Sequence, residues 1–292
     1  MIKAAYELLK QKIDNVDMPY LYYDNTPDGH GQSLILLHAT GFPPQLWHPV
    51  AMQLSEVYRV IVPFYTDHRE PDADSGTISW MSLAKDFEEF CRGLNMKRPL
   101  VVGHSMGANI AVISEAVCGL KPAALILIEP IFLIPELYGI PFTVEDHPFA
   151  SKSIKRIDHW RDEEELSGYL KSRPLFKRWD HNVLELYIRY GYKSTPDEGI
   201  HLICSPQREA ILFMGGMSYN PWPLFPGIES PVLVLEGEES ENQNYVQLKK
   251  ASSQMPQGSY RQLKEAGHLI PMEKPRETAN IILDYLGNLI KK

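Results

Sequence analysis

The sequence predicts an α/β protein built on a mostly parallel sheet. Short apolar runs alternate with helical patterns up to residue 129 and again from residue 231. Strand and helix units that alternate in this way form parallel sheets with right-handed crossovers. The clearest such unit is a buried strand at 99–102 that enters Gly103-His104-Ser105-Met106-Gly107 and continues as a helix. The remaining predictions are organised around the turn at Ser105.

The individual elements follow from apolar spacing and from turn residues. Residues 1–15 have apolar side chains at helical spacing (Ile2, Ala5, Leu8), so a helix is predicted there. Further helices are predicted at 46–57, 79–94, after Ser105, 162–172, 182–192, 244–252 and 275–290. Strands are predicted at 20–23, 33–38, 58–63, 99–102, 123–128, 231–235 and 260–263.

The alternation stops at Pro130 and resumes at Pro231. Residues 131–226 contain 15 of the 30 aromatic residues, together with charged helical stretches. We therefore predict a core domain from residues 1–130 and 227–292, and a helical cap (lid) inserted at 131–226. Open α/β sheets bind ligands at the carboxyl edge of their strands, so the cap is expected to lie over that edge.

Composition limits the partners and the cellular compartment. The net charge is −8 and no dense Lys/Arg run is present, which argues against nucleic acid and against anionic membranes. No apolar stretch reaches the roughly 20 residues of a membrane span, and the first residues lack the apolar core of a secretion signal. Cys91, Cys118 and Cys204 are few and widely spaced, as expected of buried thiols in a reducing compartment, and show no metal-ligand spacing. A cytoplasmic protein is expected.

The turn at Ser105 has the chemistry of a nucleophile site. A serine on a sharp strand-to-helix turn takes a strained backbone conformation and is raised above the sheet edge, where a substrate can reach it. Strand and helix then pass so closely that only small residues fit two positions away, which accounts for Gly103 and Gly107. The Met106 amide lies at the helix N-terminus, where it can stabilise a developing oxyanion.

A serine nucleophile needs a base, and the base needs an acid that holds its tautomer. His268 is the best candidate among ten histidines, because Ala266-Gly267-His268 follows the last predicted strand and precedes the last helix. That loop lies at the sheet edge that carries Ser105. His38 and His104 flank the candidate site loops and are expected to support loop geometry by hydrogen bonds. The histidines in polar or amphipathic surroundings are expected to be surface or structural residues: His48, His68, His159 and His181.

Three segments together resemble the α/β-hydrolase fold superfamily. The segment 103–107 matches the family's nucleophile elbow, residues 36–43 resemble its oxyanion loop, and residues 267–275 are similar to its histidine loop. The resemblance covers about 20–129 and 230–292 in the family's serine–acid–histidine order. It implies an α/β-hydrolase fold with the cap inserted after the sixth strand, and no metal or organic cofactor.

The resemblance also implies an oxyanion hole. By position after His38-Ala39, the backbone N–H of Thr40 would pair with that of Met106. Ala39 stands where the family usually has glycine, so the Phe42 amide is an alternative donor.

The acid departs from the family pattern. The family most often has an aspartate three residues after the glycine that follows the seventh strand, and Ser240 stands there in this sequence. Glu129, at the end of the sixth strand, is a position from which some relatives supply the acid. Glu239 and Glu241 flank the vacant position. We favour Glu129, because a strand end holds a carboxylate more rigidly than a loop does, and keep Glu239 and Glu241 as alternatives.

The expected function is a serine hydrolase that cleaves carboxylic esters or related acyl compounds through an acyl-enzyme. Cap aromatics could line a pocket for a hydrophobic acyl substrate or could form the cap's own core: Phe142, Trp160, Phe176, Trp179, Tyr187, Tyr190, Phe213 and Trp222. Cofactor-free haloperoxidase or perhydrolase chemistry and C–C bond hydrolysis use the same triad and stay open. A non-catalytic binding protein is also kept, because the usual acid position is vacant.

Overall fold

The protein has an eight-stranded sheet with helices on both faces. The computed structural model describes residues 6–27, 31–196 and 198–290. The strands of the sheet are β1 (Glu7–Ile13), β2 (Val16–Tyr23), β3 (Ser33–Leu37), β4 (Arg59–Pro63), β5 (Leu100–His104), β6 (Ala124–Ile128), β10 (Val232–Gly237) and β11 (Gly258–Leu263). They lie side by side in the order β1-β2-β4-β3-β5-β6-β10-β11.

Only the first two strands break the parallel arrangement. β1 pairs with β2 and β2 with β4 in antiparallel register, and every later neighbour in the sheet is parallel. The parallel strands are connected through helices α1 (His48–Leu54), α2 (Trp80–Gly93), α3 (Met106–Ala116) and α9 (Leu248–Gln254), and the chain ends with α10 (Ile270–Glu273) and α11 (Pro275–Ile290). The predicted mostly parallel α/β sheet is confirmed.

Side chains that alternate along the strands pack into two separate hydrophobic cores, one on each face of the sheet. Val101 packs with the apolar sides of α2 and α3, for example with Phe87 and Ile110. Val102, which points to the other face, packs with α1 and α11, for example with Leu54. Because both faces are covered, the central strands are apolar throughout, as buried parallel strands must be.

The helix predicted at 1–15 is wrong. Within residues 6–15 the chain forms β1 instead, and residues 1–5 lie outside the described part. Asp14 and Asn15 form a two-residue turn between Ile13 and Val16, which are paired in the ladder, and Asp14 has a φ of 50°. Such turns join antiparallel strands, so tertiary pairing overrides the helical spacing of the apolar residues. The strand predicted at 20–23 accordingly begins earlier, at Val16.

Residues 131–226, called here the cap segment, lie between β6 and β10. They contain α4 (Ala150–Ser153), α5 (Glu163–Ser172), α6 (Pro174–Lys177), α7 (His181–Tyr190) and α8 (Pro206–Gly215). The purely helical prediction missed a small antiparallel sheet of order β7-β9-β8, formed by β7 (His159–Trp160), β8 (Tyr192–Thr195) and β9 (Gly199–Leu202). The boundaries of the predicted domains stay a prediction.

Four of the cap aromatics are buried where the cap segment packs on the core domain, in a cluster that also contains Leu46, Leu269 and Met272. Trp160, Phe176, Trp179 and Tyr187 pack into one buried cluster, with Trp179 and Tyr187 at a ring-centroid distance of 5.4 Å. The three cysteines were expected to be buried, but only Cys91 is; Cys118 and, in the cap segment, Cys204 are partly buried. No helix among the described residues is both long enough and apolar enough to cross a membrane.

Candidate active site

The turn between β5 and α3 presents Ser105. Its φ of 55° lies in the left-handed region, and its N–H donates to the Ile128 carbonyl at 2.9 Å. A Cβ on Gly103 would lie 2.4 Å from the Gly107 carbonyl oxygen, and a Cβ on Gly107 would lie 2.5 Å from the Leu37 oxygen. Both glycines are therefore required by close backbone approach, as the sequence predicted.

His268 lies between Ser105 and Glu129. Its Nε2 is 3.1 Å from the Ser105 Oγ, and its Nδ1 is 2.9 Å from the Glu129 Oε2. A carboxylate can only accept, so Nδ1 carries the proton toward Glu129 and Nε2 is left to accept from the serine hydroxyl. The three side chains thus form one hydrogen-bonded chain across the carboxyl edge of the sheet.

Glu129 is fully buried directly after β6 and has a φ of 50°. Its Oε1 accepts from the Gly237 N–H at 2.6 Å, and its Oε2 accepts from the Ser240 hydroxyl at 2.7 Å. These donors stabilise a buried charge that would otherwise be costly. Ser240, which follows β10, therefore holds the carboxylate that comes from the end of the neighbouring strand β6.

Residues 36–43, the predicted oxyanion loop, lie beside the start of α3, where a Cβ on Gly107 would be 2.5 Å from the Leu37 oxygen. Thr40 and Met106 are both buried, and no described residue accepts a hydrogen bond from either backbone N–H. The Phe42 N–H, the alternative donor, is directed to the Ala39 carbonyl at 3.4 Å. Tyr65 fixes the loop by donating to the His38 carbonyl at 2.6 Å. Two amides at this position have the chemistry of an oxyanion hole.

Comparison with known proteins agrees with this architecture. The model of a family described as the alpha/beta hydrolase family matches residues 34–281. The chain belongs to the alpha/beta hydrolase family. Its relatives include a mouse protein named monoacylglycerol lipase ABHD6, which is 21% identical over 94% of this chain and 81% of the mouse protein. The human protein of the same name is 21% identical over 95% of this chain and 82% of its own length.

Solved structures show the same fold. The crystal structure of E-2-(acetamidomethylene)succinate hydrolase superposes with a TM-score of 0.79 at 17% identity, over 97% of this chain and 99% of that one. The thioesterase domain from the curacin biosynthetic pathway gives a TM-score of 0.75 at 17% identity, over 96% of this chain and 99% of the domain. This alpha/beta hydrolase is therefore an enzyme of the hydrolase type by family, with lipases and other hydrolases among its relatives.

The two alternative acids have other contacts in this hydrolase. Glu239 is exposed and pairs with Arg178 of the cap segment at 2.7 Å. The Glu241 carboxylate accepts from the backbone N–H of His268 at 3.2 Å, not from its ring. Arg178 also donates to Glu273, which accepts from the Gly267 N–H, so the loop that carries His268 is tied to the cap segment.

The remaining histidines near the site are structural. His104 Nε2 lies 2.9 Å from the His268 carbonyl oxygen, and burial, together with the nearby charge of His268, lowers the pKa of His104 to about 3. A neutral His104 can donate to that carbonyl and position the backbone of His268. His38 contacts the Ala39 carbonyl at 2.9 Å, and burial lowers its pKa as well. His68 pairs with the buried Asp86 at 2.8 Å.

Sequence reasoning missed two amide side chains. Asn242 lies 2.9 Å from Nδ1 of His268, beside Glu129. Asn109 of α3 exchanges two hydrogen bonds with Ile131, at 2.8 and 2.9 Å, and so fixes the chain just after Glu129. Neither residue belongs to a recognisable local motif, so only their long-range contacts could identify them. Within the described ranges, no group of three or more His, Cys, Asp or Glu side chains is arranged to hold a metal ion.

Proposed function

We propose that this protein is a serine hydrolase that cleaves carboxylic esters or related acyl compounds. The observation that carries the proposal is the hydrogen-bonded chain from Ser105 through His268 to Glu129. In this mechanism His268 takes the proton of Ser105 as its oxygen attacks the acyl carbon. Glu129 holds the imidazole in the reactive tautomer and stabilises the imidazolium.

The reaction proceeds through a covalent acyl-enzyme. Collapse of the tetrahedral intermediate breaks the bond to the leaving alcohol, which receives the proton from His268. Water then attacks the ester on Ser105, with His268 again as base, and the acid is released. The amides of Thr40 and Met106 are proposed to hold the oxyanion in both steps, a contribution worth roughly 10²–10³ in kcat per donor.

The proposed substrates are small molecules with a hydrophobic acyl group. The aromatic content of the cap segment supports this, and so does the name monoacylglycerol lipase carried by relatives with 21% identity. A cytoplasmic location, inferred from cysteine usage, remains part of the proposal. The non-catalytic alternative was based on the serine at position 240, and the contact of Ser240 with Glu129 supports catalysis instead.

The test is hydrolysis of 4-nitrophenyl esters of increasing chain length by the wild type and by Ser105→Ala. We expect the wild type to hydrolyse esters with longer acyl chains faster than the acetate, and the variant to hydrolyse none of them. A fluorophosphonate probe should label Ser105 covalently in the wild type alone. A profile confined to acetate would contradict the hydrophobic preference, and absence of both turnover and labelling would contradict the proposed function.

A further inference from the structure

The cap segment contains a cleft of about 590 Å³, called here the cap cleft. Its lining includes Phe42, Glu209 and Phe213, and also Lys152, Lys155 and Arg173. A volume in this range is typical of sites that hold small molecules. The cap cleft is distinct from the residues of the proposed triad, none of which lines it.

Glu209, which lines the cap cleft, lies against the loop that carries Thr40. Gly41, the neighbour of Thr40, has a φ of 74°, and a Cβ there would lie 2.9 Å from the carboxyl carbon of Glu209. Glu209 is therefore packed directly on the backbone that would hold the oxyanion. Burial raises the pKa of Glu209, whereas the contact with Arg156 opposes that rise.

An aromatic wall leads from the cap cleft toward His268. Phe213 is 5.5 Å from Phe149, and Phe149 is 5.9 Å from Tyr245, measured between ring centroids. The Tyr245 N–H donates to the carbonyl of Asn242, whose side chain contacts His268. Residues that line the cap cleft are therefore in contact with the Thr40 loop through Glu209 and, through Phe149 and Tyr245, with Asn242 beside His268.

The cap cleft combines an apolar interior with apolar groups that are open to solvent. Trp160, Phe176 and Tyr192 contribute buried aromatic surface. Ile157 and Leu175, which also line it, are 49% and 44% exposed. Exposed aliphatic side chains at the mouth of an aromatic cleft favour a ligand with a hydrocarbon part.

The charge of the cap cleft is opposite to that of the whole chain. Four cationic side chains line it against one carboxylate, Glu209, and that carboxylate is paired with Arg156. Lys152, Lys155 and Arg173 form no ion pair with any described residue. The Arg173 guanidinium is held over the Tyr169 ring at 4.4 Å. Three unpaired cations in a chain of net charge −8 favour an anionic ligand.

We propose that the cap cleft binds the anionic group of an amphiphilic ester substrate, with Lys152, Lys155 and Arg173 as its recognition residues. The proposal rests on the proposed hydrolase function and specifies its substrate class. The hydrocarbon part lies along the aromatic wall toward Ser105, and a carboxylate or a phosphate, remote from the scissile carbonyl, lies at the cationic side chains. Lysine and arginine bind both anions by charge-assisted hydrogen bonds.

Two matched substrate pairs test the anion preference. The first pair is 4-nitrophenyl hexanoate and mono-4-nitrophenyl adipate, which have the same chain length and differ by a terminal carboxylate. The second pair is S-hexanoylpantetheine and its 4′-phosphate. We expect kcat/KM to be about tenfold higher for the anionic member of at least one pair, and this ratio to fall as salt is added. A preference within the first pair indicates a carboxylate, and one within the second pair indicates a phosphate.

The variant Lys152→Ala/Lys155→Ala/Arg173→Ala assigns the preference to the cap cleft. We expect it to lose the tenfold preference and to hydrolyse the neutral esters within about twofold of the wild type, because a neutral ester has no charge for these cations to bind. Lys171→Ala/Lys177→Ala is the matched control, since both lysines are exposed on the cap segment outside the cap cleft. It should keep the preference. No preference in the wild type, or a preference that survives in the triple variant, would overturn the proposal.

Binding of hexyl phosphate separates this proposal from the proposed function. If the wild type hydrolyses no ester, the proposed function fails, but calorimetry with hexyl phosphate and hexanol still tests the cap cleft. We expect saturable binding of hexyl phosphate that is at least about tenfold weaker in the triple variant and unchanged in the control. Equal binding of hexyl phosphate and hexanol, or equal binding by the triple variant and the wild type, would overturn the anion site.

Discussion

Glu129 reaches the His268 imidazole from the end of β6, and Ser240, which follows β10, lies beside its carboxylate. Ser240 is three residues after Gly237, and its hydroxyl is 2.7 Å from the Glu129 Oε2. The same Oε2 is 2.9 Å from Nδ1 of His268. The place of the usual acid and the place of Glu129 are therefore adjacent in space, although the two residues are 111 positions apart in the chain.

Glu129→Gln is expected to lower kcat by several orders of magnitude while the protein still folds. The neutral amide removes the charge that stabilises the imidazolium and permits the wrong tautomer. Because Ser240 lies beside the same oxygen, Glu129→Gln/Ser240→Asp should restore part of the lost activity. Activity is measured with the 4-nitrophenyl esters, and folding by circular dichroism.

Glu239→Gln and Glu241→Gln are the matched controls for the acid. Both glutamates are exposed and contact Arg178 or the His268 backbone, so each variant should retain activity within a few-fold of the wild type. If Glu129→Gln kept near-normal turnover and one of the two controls lost its turnover, the glutamate replaced in that control would be the acid.

At the scale of elements, the β5–α3 turn requires glycine at position 103, because the backbone of α3 leaves no room there for a side chain. Gly103→Ala would place a Cβ 2.4 Å from the Gly107 carbonyl oxygen and 2.5 Å from the Ala108 Cα, and these are backbone atoms that cannot rotate away. We expect a loss of at least about 2 kcal/mol in the free energy of unfolding, and a loss of activity, because α3 must shift from β5. Urea unfolding measures the first effect.

Gly168→Ala is the matched control, and it is expected to raise the free energy of unfolding rather than lower it. Gly168 is an exposed position inside α5, and a Cβ there would meet nothing within 4 Å. Alanine should stabilise the helix by about 0.5–1 kcal/mol. Equal effects of the two glycine substitutions would show that close packing at the turn is not what requires Gly103.

The first fifteen residues show why some elements could not be predicted. Their apolar spacing suggests a helix, but Leu8 is 61% exposed and Asp14-Asn15 closes a hairpin. An Asp-Asn pair can form a tight turn, but its structure is decided only when the two flanking segments pair as strands. The cap sheet was missed for the same reason, since β7 has only two residues and is defined by its pairing with β9.

At the scale of the whole molecule, buried neutral histidines link folding to pH. His104 is fully buried, and burial, with the charge of His268, lowers its pKa from 6.5 to about 3. The unfolded chain takes up this proton below about pH 6.5, and the folded protein does not until about pH 3. The unfolded state thus binds more protons in this window, so stability falls as the pH falls.

His104→Gln should therefore weaken the acid sensitivity of folding. Between pH 7 and pH 5, protonation of His104 alone should lower the free energy of unfolding of the wild type by about 2 kcal/mol. The variant should not show this decrease. Glutamine retains an N–H donor for the His268 carbonyl. Urea unfolding at both pH values measures the difference, and His181→Gln, at an exposed position of α7, should behave like the wild type. The same pH dependence in His104→Gln and wild type would contradict this account.

The sequence by itself determined the α/β class, the turn at Ser105 and the loop that carries His268. These features are local, because strand and helix periodicity, a glycine-flanked turn and a loop between two elements are all encoded within a few neighbouring residues. The tertiary structure decided which glutamate contacts His268, the hairpin of β1 with β2, and the cap cleft beside Gly41. Those features depend on contacts over long separations, such as the 139 positions between Glu129 and His268, and no local pattern specifies which distant side chains meet.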